Sequence, residues 1–294
     1  MAEQPVTSID PMTPDDVAAA HQVSFAAFRS WWPAEELADP ARVEVQRVRG
    51  EARIAHILAT DPGGSWVARQ ADGKVVGAAL AICREDLWGL SMLAVDPDCQ
   101  ARGIGTRLLE AALSYEAGSS ARLILSSNDP RAIRAYHRAG LSALPSLQGS
   151  GALNRTRIPT GLLSIEGDPG AHADVIDRAS RHVRGASHLK DVEAALRTGC
   201  QLLVCGDRGF ALARDGSPYL VAACDEEAAS DLLWSCLATA GPGEDVYVMF
   251  ITAGNDWALT VAADAGLSLS PDGPVFASGV GGPMKPYLPS GAYL

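Results

Sequence analysis

The sequence predicts an α/β protein in which a mixed, mostly antiparallel sheet is flanked by helices. Two observations support this class. Apolar runs of strand length alternate with helix-patterned stretches along the chain. One of these runs, residues 90–95, leads into a turn with two glycines and then into another helix-patterned stretch. Because ligands of α/β proteins often bind at the C-terminal end of a strand, residues 96–107 are the first candidate site.

The first half of the chain carries clear start and stop signals. Thr13 is predicted to cap a helix, with Pro14 in the first turn and Asp16 at the capping-box position. A second helix is predicted over residues 41–59, before the breaker sequence at 61–64. Strands are predicted over residues 65–69, 74–82, 88–95 and 122–126, and Asn128 is predicted to cap the helix that carries Tyr136.

The second half repeats a similar order of elements after a segment at 149–161, whose composition fits a linker or an irregular strand. Helices are predicted over residues 171–184, 188–199, 226–240 and 255–265, and strands over 201–205, 209–213, 219–223 and 246–251. The C-terminal residues 281–294 are rich in Pro and Gly but also hold two tyrosines and two leucines. Because disordered tails are usually poor in such residues, this segment is predicted to be ordered and packed on a domain surface.

Composition and charge exclude several classes of protein. The length of 294 residues favours two domains, and no apolar run approaches the ~18–20 residues of a membrane helix. The N-terminal residues lack the pattern of a secretory signal. Six scattered cysteines without a C-x-x-C pattern favour free thiols in a reducing compartment and no metal site. The net charge is −2 for residues 1–160 (16 basic, 18 acidic) and −9 for the rest (8 basic, 17 acidic), which argues against a nucleic-acid partner. A cytoplasmic protein that binds neither nucleic acid nor membrane is predicted.

The turn at residues 96–107 has the features of a diphosphate-binding site. The first amides of a helix lack backbone partners and carry partial positive charge. Gly103 and Gly105 would let a ligand approach the backbone closely, and Arg102 and Arg107 would add charge. A dinucleotide fingerprint would need a third glycine where this chain has Leu108, and a Walker-type loop would need a lysine that is missing here.

Two motifs resemble one known family. Gln100-x-x-Gly103-x-Gly105 resembles the acetyl-coenzyme A signature of the GCN5-related N-acetyltransferases, the GNAT family. About 30 residues later, the segment from Asn128 through Tyr136 to Gly140 resembles a helix motif of that family, with residue 141 a leucine instead of the usual phenylalanine. The resemblance implies a GNAT fold and acetyl-CoA as the cosubstrate, with no metal.

The resemblance also implies which residues contact the cofactor. Backbone groups of Leu93, Ala94 and Val95 would bind the pantetheine arm and the acetyl oxygen, where a preorganised amide is worth roughly 2.7–4 kcal/mol in other enzymes. The amides from Ala101 to Thr106 would bind the diphosphate. The complete predicted set is Leu93, Ala94, Val95, Gln100, Ala101, Arg102, Gly103, Ile104, Gly105, Thr106, Asn128 and Tyr136.

Four further interpretations concern catalysis and the acceptor. Tyr136 is the candidate general acid, because a phenol with a pKa near ~10 can protonate a leaving thiolate of pKa ~8.5. Glu85 is the candidate base at the mouth of the site. His21 and the adjacent Trp31 and Trp32 are candidates for the acceptor wall. For Glu85 the alternative is a solvated surface position, and for the others it is packing in or beside the core.

The second half resembles a degenerate copy of the first. Residues 255–267 echo residues 128–141, and residues 224–230 stand where 100–106 stood. There, Asp225, Glu226 and Glu227 would repel a diphosphate. The predicted domains are a catalytic GNAT domain at 1–150, a linker at 151–160 and a degenerate GNAT-like domain at 161–294 with an ordered C-terminal tail. An unrelated C-terminal extension is the alternative.

Together these observations predict an acetyl-CoA-dependent N-acetyltransferase that acetylates a primary amine of a small molecule or peptide by direct transfer. A homodimer is left open. The alternatives are an acyl-CoA-binding sensor without turnover and a structural or dimerising partner. The acceptor walls of this fold come from variable helices and loops, so the sequence does not identify the amine.

Overall fold

The computed structural model describes residues 6–32, 34–116 and 118–294. The chain forms two compact units. One comprises the described residues up to Cys83 together with Trp88–Ser119, and the other comprises Arg84–Leu87 together with Ser120–Leu294. In the described ranges, no helix is both long and apolar enough to cross a membrane.

The first unit combines an antiparallel run of strands with four helices. Its strands lie in the order β1-β2-β3-β4, with β1 at Val6–Pro11, β2 at Ser65–Gln70, β3 at Val75–Arg84 and β4 at Leu87–Val95. Its helices are α1 at Val17–Ala27, α2 at Ala34–Ala38, α3 at Pro40–Thr60 and α4 at Ile104–Leu113. The predicted helix over 41–59 and the strands around 65–95 are therefore confirmed.

Local signals explain where the first helices begin. Asp16 Oδ2 accepts a hydrogen bond of 2.8 Å from the Thr13 backbone N–H, as the capping-box prediction requires. One short 3-10 turn at Pro14–Asp16 precedes α1. Helix α3 begins after Asp39, whose side chain accepts from the Ala41 N–H at 2.9 Å.

The core of the first unit fixes β4 against α4. Strand β3 is buried along nearly its whole length, and Trp88 of β4 is fully buried. The Trp88 indole N–H donates to the Ala112 carbonyl at 3.1 Å. Leu108, on the inner face of α4, is also fully buried. Burial of such side chains stabilises by roughly 1.5–3 kcal/mol each, so the turn that connects β4 with α4 starts and ends on fixed elements.

The second unit contains two antiparallel sheets. The first sheet section has the order β5-β12-β6-β11, with β5 at Ala121–Leu125, β6 at Ser142–Ala152, β11 at Asp245–Thr252 and β12 at Ser268–Ser278. The other sheet has the order β13-β10-β9-β8-β7, with β7 at Ile165–Glu166, β8 at Gln201–Cys205, β9 at Gly209–Arg214, β10 at Ser217–Ala223 and β13 at Tyr287–Leu288. The helices are α5 at Pro130–Arg138, α6 at Ala173–Arg184, α7 at Leu189–Arg197, α8 at Glu226–Ala238 and α9 at Asp256–Asp264.

Strands from early and late parts of the chain alternate in the first of these sheets. β12 pairs with both β5 and β6, and β6 pairs with β11 on its other side. Residues 149–152 therefore belong to β6, which agrees with the strand alternative for the start of the 149–161 segment. The predicted domain boundary at residue 150 falls inside this strand. This interleaving explains why residues 120–150 group with the later residues.

Candidate active site

The turn after β4 is held by its own side chains. Asp96 accepts a hydrogen bond of 3.0 Å from the Asp98 N–H and starts a 3-10 turn at Pro97–Cys99. The Gln100 side-chain amide then donates to the Val95 carbonyl at 3.1 Å. Gln100, predicted as a cofactor contact, thus ties the turn back to the end of the strand.

The backbone after Gln100 takes a strained course into α4. Ala101 has φ +60° and Gly103 has φ +78°, both in the left-handed region. This conformation suits Gly103 but is uncommon for Ala101, where it costs of order 1–3 kcal/mol. Strain of this kind is frequent at ligand sites.

The N-terminus of α4 is left open by the chain. Gly103 is the N-cap residue, and it has no side chain that could accept from the first amides of Ile104–Thr106. A Cβ built on Gly103 meets nothing within 4 Å, and one on Gly105 meets only Val95 Cγ2 at 3.7 Å. Close packing against other atoms of the protein therefore does not require glycine at either position. The positive φ of Gly103 does favour glycine there. Arg102 and Arg107 are exposed beside this helix end.

The last residues of β4 have mixed exposure. Leu93 and Val95 are half-buried, whereas Ala94 is buried. Further back on the same strand, the Ser91 hydroxyl is buried, and no described group hydrogen-bonds to it. Sequence reasoning missed Ser91, although a serine within an otherwise apolar strand is a visible signal.

In the second unit, Tyr136 lies near the end of α5 and is buried, with 6% of its surface exposed. Its ring packs edge-on against Phe276 of β12, with 5.5 Å between ring centroids. Burial raises the pKa of the Tyr136 phenol well above its usual value, and the nearby Asp129 carboxylate adds to the shift. The phenol is therefore protonated over the physiological pH range.

The predicted cap of α5 is wrong by one residue. Asp129, not Asn128, is the N-cap, and its side chain accepts from the Arg131 N–H at 2.8 Å. Pro130 occupies the first helical position, which sets the cap at the residue before it. Asn128 is half-buried and outside the helix. Its side chain is therefore not needed for capping.

Glu85, the candidate base, lies just before β4. It occupies the turn between β3 and β4 with φ +56°, and its carboxylate binds the Arg181 guanidinium. Glu85 comes before the first residue of β4, whereas the candidate turn follows the last residue. The nine residues of this strand extend about 30 Å. The neighbouring Asp86 accepts hydrogen bonds from the Ser120 backbone N–H and hydroxyl, which hold the pKa of its carboxyl below the usual value.

The candidates for the acceptor wall have different environments. His21 is 9% exposed and stacks on Phe25 with 6.1 Å between ring centroids. A Cβ on Gly50 of α3 would lie 2.3 Å from the His21 ring, so this histidine is packed between α1 and α3. Burial lowers its pKa. These contacts fit the packing alternative.

The two tryptophans after α1 can be described only in part. The side chain of Trp31 lies outside the described residues. Trp32 is half-buried, with its ring 6.3 Å from that of Phe25. A shallow cavity is lined by Phe25, Trp32, Leu37, Arg42, Val43 and Gln46. Trp32, predicted for the acceptor wall, thus borders this cavity.

Residues 26–141 match the family model described as Acetyltransferase (GNAT) family. No curated protein matches the sequence. This matched segment contains the candidate turn, Tyr136 and the β2–β5 strands.

Several solved structures are similar over nearly the whole chain. A putative acetyltransferase from Pyrococcus horikoshii has a TM-score of 0.77 at 17% identity, with 96% of this chain and 93% of that chain covered. GCN5-related N-acetyltransferases from Sphaerobacter thermophilus (TM-score 0.56, 14% identity, 94% and 96% covered) and Kribbella flavida (0.55, 16%, 92% and 71%) are also similar. These likenesses concern the fold, which they share across both halves. The segment of residues 26–141 is therefore identified as a match to the GNAT family of acetyltransferases.

Proposed function

We propose that the protein transfers the acetyl group of acetyl-CoA directly to a primary amine of a small molecule or peptide. The observation that carries the proposal is the open N-terminus of α4 at the end of β4. Its amides have no capping side chain. The absence of a side chain at Gly105 leaves space beside them, although packing against the rest of the protein does not require a glycine there. A helix end of this kind favours a bound phosphate through its N–H groups and its dipole.

The neighbouring residues suit the rest of the cofactor. The exposed Arg102 and Arg107 would attract the diphosphate, while the amides of residues 101–106 would donate to its oxygens. Backbone groups of Leu93–Val95 would hold the pantetheine arm and stabilise the negative charge that develops on the acetyl oxygen. Gln100 would keep strand and turn in register through its bond to Val95.

Tyr136 is proposed to supply the proton for the leaving group. The neutral amine would attack the acetyl carbon, forming the C–N bond while the C–S bond breaks. The phenol would give its proton to the departing thiolate sulfur, the amine nitrogen would lose a proton to solvent, and the phenolate would regain a proton from solvent. Because burial keeps the phenol protonated, Tyr136 would be in its acid form throughout the working pH range. Glu85 is engaged with Arg181, and the proposal gives it no part in this step.

A pair of glycine variants tests cofactor binding. Gly103→Glu places a carboxylate at the helix N-terminus, where it would fill and repel the diphosphate site. Gly73→Glu is the matched control, because Gly73 also has a positive φ (+87°) and open space around its Cβ position, but lies in the β2–β3 turn. Calorimetric titration with acetyl-CoA should show about a hundredfold weaker binding for Gly103→Glu and wild-type binding for Gly73→Glu.

The outcomes separate the proposed function from its alternatives. Unchanged affinity in Gly103→Glu would refute the cofactor site. Binding of acetyl-CoA without turnover in a screen of primary amines would instead indicate an acyl-CoA sensor. Binding with release of free CoA, dependent on one class of amine, would support the transferase and identify its acceptor.

A further inference from the structure

The C-terminal segment adds a strand to the sheet of the second unit. β13 pairs antiparallel with β10, with Val221 opposite Leu288 and Ala222 opposite Tyr287. The Ala223 N–H also donates to the Pro286 carbonyl at 3.3 Å. Tyr287 and Leu288 are both buried. The segment is therefore an integral part of the fold, bound along its backbone.

This segment contacts two strands of different sheets. β10 and β11 belong to different sheets but contact each other, and β13 contacts both. On the side away from β10, the Asn255 amide holds the segment at two points. Its Nδ2 donates to the Met284 carbonyl at 3.1 Å, and its Oδ1 accepts from the Tyr287 N–H at 2.9 Å. Asn255 itself is fully buried, and the Trp257 indole fixes it with a bond of 3.0 Å.

The helix that follows β10 has an occupied N-terminus, unlike α4. Asp225 is its N-cap and accepts from the Ala228 N–H at 2.8 Å. Arg208 binds Glu227 at 2.8 Å and Asp225 at 3.4 Å. A carboxylate of the chain thus takes the anion position at this helix end.

These two features lie at positions that correspond in sequence to residues predicted to bind the cofactor in the first half. In sequence, Asn255 corresponds to Asn128, and Asp225 stands in the segment that corresponds to residues 100–106. We propose that the second half contains a groove of the kind that would hold the cofactor, and that a segment of the same chain fills this groove. Residues 284–288 take the place of the pantetheine arm, and the Asp225 carboxylate takes the place of the diphosphate. The groove binds an extended peptide of the same chain and has no room for acyl-CoA.

The residues after β13 add to the retention of the segment. The Tyr287 hydroxyl lies 3.1 Å from His188 Nε2, and Arg184 Nη1 donates to the Tyr293 carbonyl at 2.7 Å. Ala292 and Tyr293 join the apolar cluster formed with α6, α7 and β8–β10. The segment 283–294 therefore resembles a peptide ligand with both backbone and side-chain anchors. The correspondence with a cofactor rests on the proposed function, whereas the peptide-binding groove does not.

Cleavage of the folded chain tests the proposal. A protease recognition sequence inserted after Val280, in an exposed stretch, would allow the segment to be cut from the intact protein. The cut segment should stay bound through gel filtration under native conditions. After its removal in urea and refolding, a synthetic peptide of residues 283–294 should rebind in a 1:1 ratio and restore the melting temperature.

Matched asparagine variants locate the binding site. Asn255→Ala should weaken rebinding of the peptide at least tenfold, because it removes the two side-chain hydrogen bonds that Asn255 makes with the segment. Asn154→Ala is the control, since the Asn154 side chain accepts from the Thr156 N–H in an exposed turn. Equal rebinding by the two variants would overturn the assignment of the groove.

Two further measurements keep the test decisive. In the uncut protein, the amides of Ala223 and Tyr287 should exchange as slowly as those of β9, and fast exchange would overturn the proposal even if the cut protein unfolds. Titration of the uncut protein should give one acetyl-CoA per chain. Two per chain would refute a filled second groove, whereas none would refute the proposed function and leave the peptide result intact.

Discussion

At the scale of single residues, Tyr136 combines deep burial with the proposed role of proton donor. Its ring is anchored by the edge-on contact with Phe276. A buried phenol that is not consumed by an internal hydrogen bond can donate to a ligand atom. The ring contact fixes where the hydroxyl points, so packing and catalysis use different parts of the same side chain.

Removing the hydroxyl should separate these two contributions. Tyr136→Phe keeps the edge-on contact with Phe276, so the free energy of unfolding should change by less than about 1 kcal/mol. We expect kcat to fall about a hundredfold while the Kd for acetyl-CoA stays within twofold, because general acid catalysis typically contributes 10²–10⁴-fold. Steady-state kinetics and calorimetry would measure both. Tyr247→Phe on the exposed edge of β11 is the control, and an equal loss of kcat there would contradict the prediction.

Ser91 offers the opposite test, on stability. Its hydroxyl is buried without a partner among the described residues, and such a group costs about 1–3 kcal/mol. Ser91→Ala should therefore raise the free energy of unfolding by up to about 1 kcal/mol, as measured by urea denaturation. A lower stability in Ser91→Ala would mean that the hydroxyl is satisfied in solution. Loss of turnover with higher stability would show that the hydroxyl serves the site.

At the scale of elements, a buried ion pair fixes the turn between β3 and β4 to α7. Arg84 binds Asp191 through two hydrogen bonds of 2.6 Å, and the side chains are only 3% and 1% exposed. The two residues are 107 positions apart in the chain, so the local sequence around neither of them predicts the pair. Since desolvation offsets most of the attraction, its main effect is to specify this arrangement.

The pair should behave differently when broken and when replaced. Arg84→Met or Asp191→Leu alone should lower the free energy of unfolding by about 3–5 kcal/mol, because each leaves a buried charge without its partner. The double variant should recover most of that loss, since two apolar side chains can pack where the ions were. Urea denaturation of all four proteins would show it, and additive losses in the double variant would argue against the coupling.

At the scale of the whole molecule, a buried histidine makes stability depend on pH. His188 is fully buried among Ser180, Tyr287, Arg184, Arg84 and Asp191. Burial, with the Arg184 charge, holds the pKa of its imidazole well below the usual 6.5. Below about pH 6.5 the imidazole is protonated in the unfolded chain but stays neutral in the folded chain. The free energy of unfolding therefore falls as the pH drops below that value.

This dependence should weaken when the imidazole is replaced. The decrease in melting temperature between pH 7.5 and pH 5.5 should be smaller in His188→Gln than in the wild type. His137→Gln, at an exposed position on α5, is the control and should keep the wild-type dependence. If His188→Gln lost as much stability as the wild type over this range, another group would have to carry the pH effect.

Local sequence was sufficient for the parts of the site that are built locally. The β4 strand, the glycine turn and the start of α4 lie within about 25 consecutive residues, so apolar pattern, glycine chemistry and capping rules determine them. The helix of Tyr136 was predicted for the same reason. Its cap was misplaced because Asn128 and Asp129 are both good caps, and only the fixed φ of Pro130 decides between them.

Tertiary structure decided everything that depends on partners far along the chain. Hydrophobic alternation marks a strand but does not name its neighbour, so the insertion of β12 between β5 and β6 was not visible in the sequence. Likewise, the sequence did not show that the Glu85 carboxylate pairs with Arg181, which is 96 residues away in the chain. The sequence by itself determined these elements and the glycine turn between β4 and α4, because their causes are local. Only the fold decided which charges are paired and which groove is filled, because those depend on contacts between distant segments.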